Sequence, residues 1–172
     1  MTQTPPTQQT SPVRAALVLQ ARANPEKASV VLRCAIDLRE TIYRIVAAKL
    51  ASRRLAEPDR RAFTAALGDA LSHLQLRATS QGFQLDWEEN SATLEALLWP
   101  VVVSAARLLT SDDLGRVGEC GSKTCRWMFV DRSKNHRRRW CDMKLCGNRT
   151  KARKFYRRAK SRSKGRSSKD RR

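Results

Sequence analysis

Apolar residues recur every three or four positions over residues 25–50. Val31, Ala35, Leu38, Ile42, Ile45, Val46 and Leu50 share one stripe, which predicts an amphipathic helix. Asn24 ahead of Pro25 is its start signal, a capping side chain followed by the residue best tolerated in a first turn. Cys34 lies beside the stripe and reads as a small core residue. A second helix is predicted from Pro58, with Phe63, Ala66, Leu67, Ala70 and Leu71 at the same period. The period then switches to two. Leu74, Leu76 and Ala78 alternate with polar residues, and so do Phe83, Leu85 and Trp87 beyond Thr79-Ser80-Gln81-Gly82, the pattern of a β-hairpin. A third helix is expected from a Ser91 cap to about Leu109, kinked at an interior Pro100. Ahead of all this, residues 1–12 are rich in Thr, Gln and Pro without periodicity, and Val13 to Ala21 suggests at most a helical turn or two. The segment 1–23 is therefore expected to be disordered or weakly ordered.

Charge divides the chain further. From Arg116 to Arg172 there are 22 Lys/Arg and 4 Asp/Glu, against 13 and 12 in the preceding residues. A nearly neutral body thus precedes an intensely cationic C-terminal part, and such asymmetry points to a polyanionic partner. The most apolar run, Ala96 to Ala106, is 11 residues long, short of the about 20 that a membrane span needs. The N-terminus lacks the layout of a secretory signal and the cysteines number five, an odd count. Together these predict a soluble, cytoplasmic protein with reduced thiols and no membrane partner.

Four of the cysteines carry the chemistry. Cys120 and Cys125 form one pair, and Cys141 and Cys146 form another at the same spacing, 15 residues apart. Two short loops, each delivering two thiolates, meet the tetrahedral demand of one zinc ion, and Zn2+ is expected here as the cofactor. With all four positions taken by sulfur, none is left for water, so the zinc is structural. Between the pairs, Arg126 to Val130 and Arg137 to Trp140 are expected to form the two strands of a hairpin around Asp131-Arg132-Ser133-Lys134-Asn135. A helix should follow Cys146, giving the knuckle, hairpin and helix of a treble clef.

On that helix Ala152, Phe155, Tyr156 and Ala159 fall on one face, expected to pack against Trp127, Phe129 or Trp140. No acid occurs from residue 143 to 169, unlike the mixed signs of an ordinary solvated helix. Arg149, Lys151, Arg153, Lys154, Arg157 and Arg158 are accordingly the candidate contacts to nucleic acid, neutralising phosphates and reaching base edges of duplex DNA. Gly147 and Asn148 are read as shaping the turn into the helix, with Gly147 letting the backbone approach the sulfurs. The fold class that emerges is mainly α with small β-hairpins. Its order is 1–23 weakly ordered, 24–112 a helical domain, 113–160 a four-cysteine finger with a basic helix, and 161–172 a basic disordered tail.

The stretches Arg139-Trp140-Cys141-Asp142-Met143, Cys146-Gly147-Asn148-Arg149 and Lys151-Ala152-Arg153, with the turn Val130-Asp131-Arg132-Ser133, resemble the CGNR zinc-finger family. Upstream, Leu38-Arg39-Glu40-Thr41-Ile42-Tyr43 and Leu97-Leu98-Trp99-Pro100 resemble the ABATE domain that usually precedes this finger. Residues 1–29 lack the Leu-rich stretch and Asn-Thr pair usual there, which suggests an abbreviated domain. The resemblance implies a bacterial, stress-linked transcription regulator whose finger binds DNA. A second reading is an RNA- or ribosome-associated module, in which the tail grips phosphates without acting at promoters. A third, a nuclease, needs a catalytic constellation that His73 and His136 do not build: His136 has no evident partner and His73 is expected to face solvent or a polar edge. No enzyme is therefore expected. The Asp86, Glu88 and Glu89 cluster reads as a solvated hairpin end. A palindromic binding site would imply a homodimer, and no residue pattern specifies a small-molecule ligand.

Overall fold

Asn24 caps the longest helix as its sequence predicts: its side-chain oxygen accepts the Lys27 N–H at 3.0 Å. In a computed structural model, which describes residues 12–87 and 93–167, this helix is α2, Pro25–Leu50, preceded by α1, Pro12–Ala23. Twelve helical residues at Pro12–Ala23 correct the expectation of weak order over 1–23. The run is rich in Ala, Leu, Arg and Gln, all good helix formers. Residues 1–11 lie outside the described part. The helix α3, Glu57–Ser72, starts with Pro58 in its first turn; of its predicted apolar face Phe63, Ala66, Leu67 and Ala70 are buried or half-buried, while Leu71 is exposed. Strands β1, Leu74–Thr79, and β2, Gly82–Trp87, pair antiparallel in the register Leu74 with Trp87, Leu76 with Leu85 and Ala78 with Phe83. The expected third helix is corrected at its start. A short 3-10 turn over Leu94–Leu97 precedes α4, Trp99–Leu109, so Pro100 stands in the first turn and kinks nothing. Ser91, Glu88 and Glu89 lie outside the described residues, while Asp86 pairs with Arg77 across the hairpin at 3.5 Å.

The chain forms two compact units, Met1–Thr110 and Ser111–Arg172. In the first, Leu38 of α2, Ala70 of α3 and Trp99 and Val102 of α4 make the buried core, flanked by Ile42, Phe63, Leu67 and Trp87. The Trp99 indole N–H donates to Asp69 at 3.3 Å. His73, expected to face solvent or a polar edge, instead stacks on Trp99 with ring centroids 4.0 Å apart. Cys34 is exposed, not a core residue: the buried stripe of α2 runs through Val31, Leu38, Thr41 and Val46 and passes it by. The hairpin also departs from simple amphipathicity, since Leu76, Phe83 and Leu85 share one face and all are exposed.

Consecutive residues of α4 offer a sharp test of this packing. Val102 is 1% exposed and Val101 50%. Val102→Ala is expected to destabilise the first unit by roughly 2–3 kcal/mol through lost burial and a residual cavity. Val101→Ala should stay within about 0.5 kcal/mol. Urea titration of both variants checks the pair; equal effects would contradict the described packing.

The second unit begins with a 3-10 turn at Asp112–Arg116, then β3, Val117–Glu119, and β4, Met128–Val130, paired antiparallel. The expected pairing of 126–130 with 137–140 is thereby corrected. Strand β4 takes its partner from upstream. The reason lies in Asp131, whose carboxylate accepts the backbone N–H of Ser133 at 2.9 Å and of Arg138 at 2.8 Å. That bond diverts the Arg138 N–H from any strand ladder. A π-type turn at Met143–Gly147 leads into α5, Asn148–Ser167. The helix therefore runs past residue 160, where a disordered tail was expected. Lys, Arg and Ala favour helix and no proline interrupts it. Residues 168–172 lie outside the described part.

Candidate zinc centre and cationic helix

Each cysteine is placed by a local device. Strand β3 delivers Cys120, whose N–H donates to the Trp127 carbonyl at 2.9 Å, and the Cys125 N–H returns to the Ser122 carbonyl at 3.0 Å, closing the first knuckle. Gly121 donates to the Arg139 carbonyl at 2.8 Å, and a Cβ on Gly121 would stand 3.1 Å from that same oxygen. Close approach of the two segments therefore favours glycine there. The second knuckle is capped by Asp142, whose carboxylate accepts the Leu145 N–H at 2.7 Å, while its carbonyl accepts Cys146 N–H at 3.0 Å and Gly147 N–H at 3.1 Å. The Thr150 hydroxyl donates to the Cys146 carbonyl at 2.7 Å, tying the last ligand to α5.

All four sulfurs lie within 4.8 Å of one another. A tetrahedron with Zn–S bonds of about 2.3 Å has sulfur–sulfur edges of about 3.8 Å. The Cys125–Cys141 and Cys141–Cys146 separations are 3.6 and 3.7 Å. The donor set therefore fits one tetrahedral zinc, held by Cys120, Cys125, Cys141 and Cys146. When bound, the ion cross-links the two knuckles and leaves no position open for water.

Two of the four clustered thiols, Cys141 and Cys146, resist ionisation without a cation. Burial opposes ionisation of Cys120, but hydrogen bonds from the backbone of Cys141 and Ser122 outweigh it and hold the thiol at about 7. Burial, reinforced by neighbouring thiols, raises Cys141 and pushes Cys146 up to about 12. Zinc must then displace protons from Cys141 and Cys146 throughout the neutral range, and from Cys120 as well once pH falls below about 7. Affinity is expected to rise with pH by at least about a hundredfold per unit, and more steeply below 7. Chelator competition at about pH 6 and about pH 8 measures this, and a flat response would exclude thiolate ligation.

Beyond the ligands, the structure picks out Asp131 and Arg138. Asp131 is buried, and its carboxyl is held below the usual range by the Ser133 hydrogen bond, against the cost of burial, with help from the Arg138 backbone and the His136 ring. The Arg138 guanidinium donates to the carbonyls of Trp140, at 2.9 Å, and Cys141, and lies 4.7 Å from the centre of the Phe129 ring. The pair thus orients the segment that carries Cys141. Arg138 was legible only as one charge among many; which arginine folds back onto the backbone of Trp140 and Cys141 depends on the path of the turn. His136, without an evident partner in sequence, has φ of 47° and its Nδ1 lies 3.2 Å from the Asp131 carbonyl. Gly147 is buried at the turn into α5. An added Cβ would meet the Met143 sulfur at 2.5 Å, so the glycine makes room for that thioether.

Helix α5 begins two residues after Cys146. Arg149, Lys151, Arg153, Lys154 and Arg157 are all exposed, and Arg158 continues the same run of the helix. Phe155 and Tyr156 do not pack against the finger's aromatics as expected: they are 70% and 72% exposed, and Trp127 is 75% exposed. Phe129 is instead covered by the Arg138 guanidinium and lies against Gly118.

A model of the CGNR zinc finger matches residues 116–159. The ABATE model, described as "Putative stress-induced transcription regulator", matches residues 5–112, more than half of the chain. The chain belongs to the ABATE family. In this ABATE protein the match begins at residue 5 and so takes in residues 5–29, where the Leu-rich stretch is missing. Its finger follows in the order expected from the motifs, and both families are regulator or zinc-finger types and not enzyme types. No curated protein sequence matches this ABATE chain. Among its described residues no helix is long and apolar enough to cross a membrane.

Proposed function

We propose that this protein is a zinc-dependent transcriptional regulator of the cytoplasm that binds duplex DNA through the finger and α5. One observation carries the reading. A helix with no acid between residues 143 and 169 is anchored by Cys146 to the zinc centre, and it holds Arg149, Lys151, Arg153, Lys154 and Arg157 in solvent. A cationic helix suits the width of the major groove, where lysine and arginine neutralise phosphates and arginine reads guanine edges. The ABATE domain supports a regulatory role for the first unit. Such a regulator would act as a homodimer if its operator is palindromic.

Selection from a pool of random duplexes, with the zinc-loaded chain and a chelated control, tests this. Enrichment of one motif that disappears on chelation is expected, and its symmetry reports whether two copies bind together. Zinc-dependent retention of structured RNA in preference to duplex at matched salt would instead favour an RNA- or ribosome-associated module.

A further inference from the structure

Phosphate neutralisation gives no reason for Phe155 and Tyr156 to stand in water. They are adjacent on α5, 70% and 72% exposed, with ring centroids 6.0 Å apart and planes at 76°. At about 100° of rotation per residue, Ala152, Phe155 and Tyr156 form one stripe. Arg149 and Arg153 border it on the Tyr156 side, and Lys151 borders it on the Phe155 side. Flat aromatic surface bracketed by cations is the chemistry that holds a polyanion whose bases are free to stack.

Resting on the nucleic-acid reading above, we propose that Phe155 and Tyr156 form a stacking site for unpaired bases, so that α5 also takes single-stranded or locally opened nucleic acid. The ring geometry decides against an intact duplex as the ligand of these two side chains. Bases inside a duplex lie nearly parallel with both faces covered. Bases laid flat on the two rings would stand nearly perpendicular to each other, an arrangement open only to splayed, unpaired nucleotides. The bordering arginines and lysine then hold the phosphates on either side of the stacked bases.

The test uses the full zinc-loaded chain, with fluorescence anisotropy of a short oligothymidylate, an oligouridylate of equal length and a duplex, all at one salt concentration. Phe155→Leu with Tyr156→Leu keeps apolar bulk and helix propensity but removes both flat faces. It is expected to weaken oligothymidylate binding by roughly tenfold per ring and duplex binding by less than about twofold. The exchange Phe155→Tyr with Tyr156→Phe should restore single-strand affinity. Zinc content of each variant confirms that the finger is intact. A leucine variant that binds the single strand like the parent, or that loses single strand and duplex equally, overturns the stacking site. Leucine-sensitive single-strand binding without duplex binding would leave the site standing and overturn the duplex reading. Duplex binding without single-strand binding would do the reverse. Preference for oligouridylate, lost in the leucine variant, supports the site and identifies RNA as its source of unpaired bases.

Discussion

Replacing Cys146 with serine is expected to remove zinc from the chain, unfold the second unit and abolish nucleic-acid binding. Among the described residues of Ser111–Arg172 the buried apolar side chains are Val117, Cys120 and Cys146, and two of these three are ligands. The remaining buried positions among the described residues there are Ser122 and Asp131, which are polar, and Gly147, which has no side chain to bury. So little apolar burial cannot offset the entropy of ordering some fifty residues, which leaves the metal as the main source of stability. Structural zinc is worth about 10–16 kcal/mol in small fingers; shared evenly, one thiolate is worth about 3–4 kcal/mol, a several-hundredfold loss of affinity. Cys146 is also the ligand that ties α5 to the cluster, through the Thr150 hydrogen bond to its carbonyl. Metal content after dialysis and far-UV circular dichroism measure the outcome. Cys34→Ser, at an exposed position outside the cluster, should keep one zinc per chain. Full zinc occupancy in Cys146→Ser would show that this side chain is not a ligand.

The second large effect is expected from salt. If α5 and the residues around it neutralise six or more phosphates, affinity for duplex should fall about a thousandfold or more between about 50 and 200 mM salt. Arg153 and Arg157 stand one helical turn apart and both are exposed. The double alanine variant should therefore bind more weakly and show a log–log salt slope shallower by about two. Its zinc content should match the parent, since neither residue lies in the knuckles. Isothermal titrations at several salt concentrations supply the slope. A variant with weaker binding but an unchanged slope would place the two arginines away from phosphate.

Sequence logic succeeded where the cause is local. Asn24 and Pro25 start α2 because a cap and a first-turn proline act within one turn of helix. The hairpin at residues 74–87 follows from alternation and a turn. Pro100 was misplaced because the same residue kinks a helix from inside and starts one from its first turn, and only the true beginning at Trp99 decides which. Strand β4 was matched to the wrong neighbour. The apolar pattern of Met128–Val130 says that it pairs, but the side chain of Asp131 decides with what.

The contrast is clearest at the aromatic and cysteine residues. Cys120, Cys125, Cys141 and Cys146 could be read as a zinc set because short covalent loops bring each pair together and zinc's geometry admits few alternatives. The cationic character of α5 needed no structure either, since charge composition survives any fold. By contrast, His73 turned inward against Trp99, Cys34 stayed outside, and Phe155 and Tyr156 remained in water. Periodicity predicts which residues share a face of a helix, but burial requires a second element opposite that face. Whether one is there is a property of the tertiary structure alone.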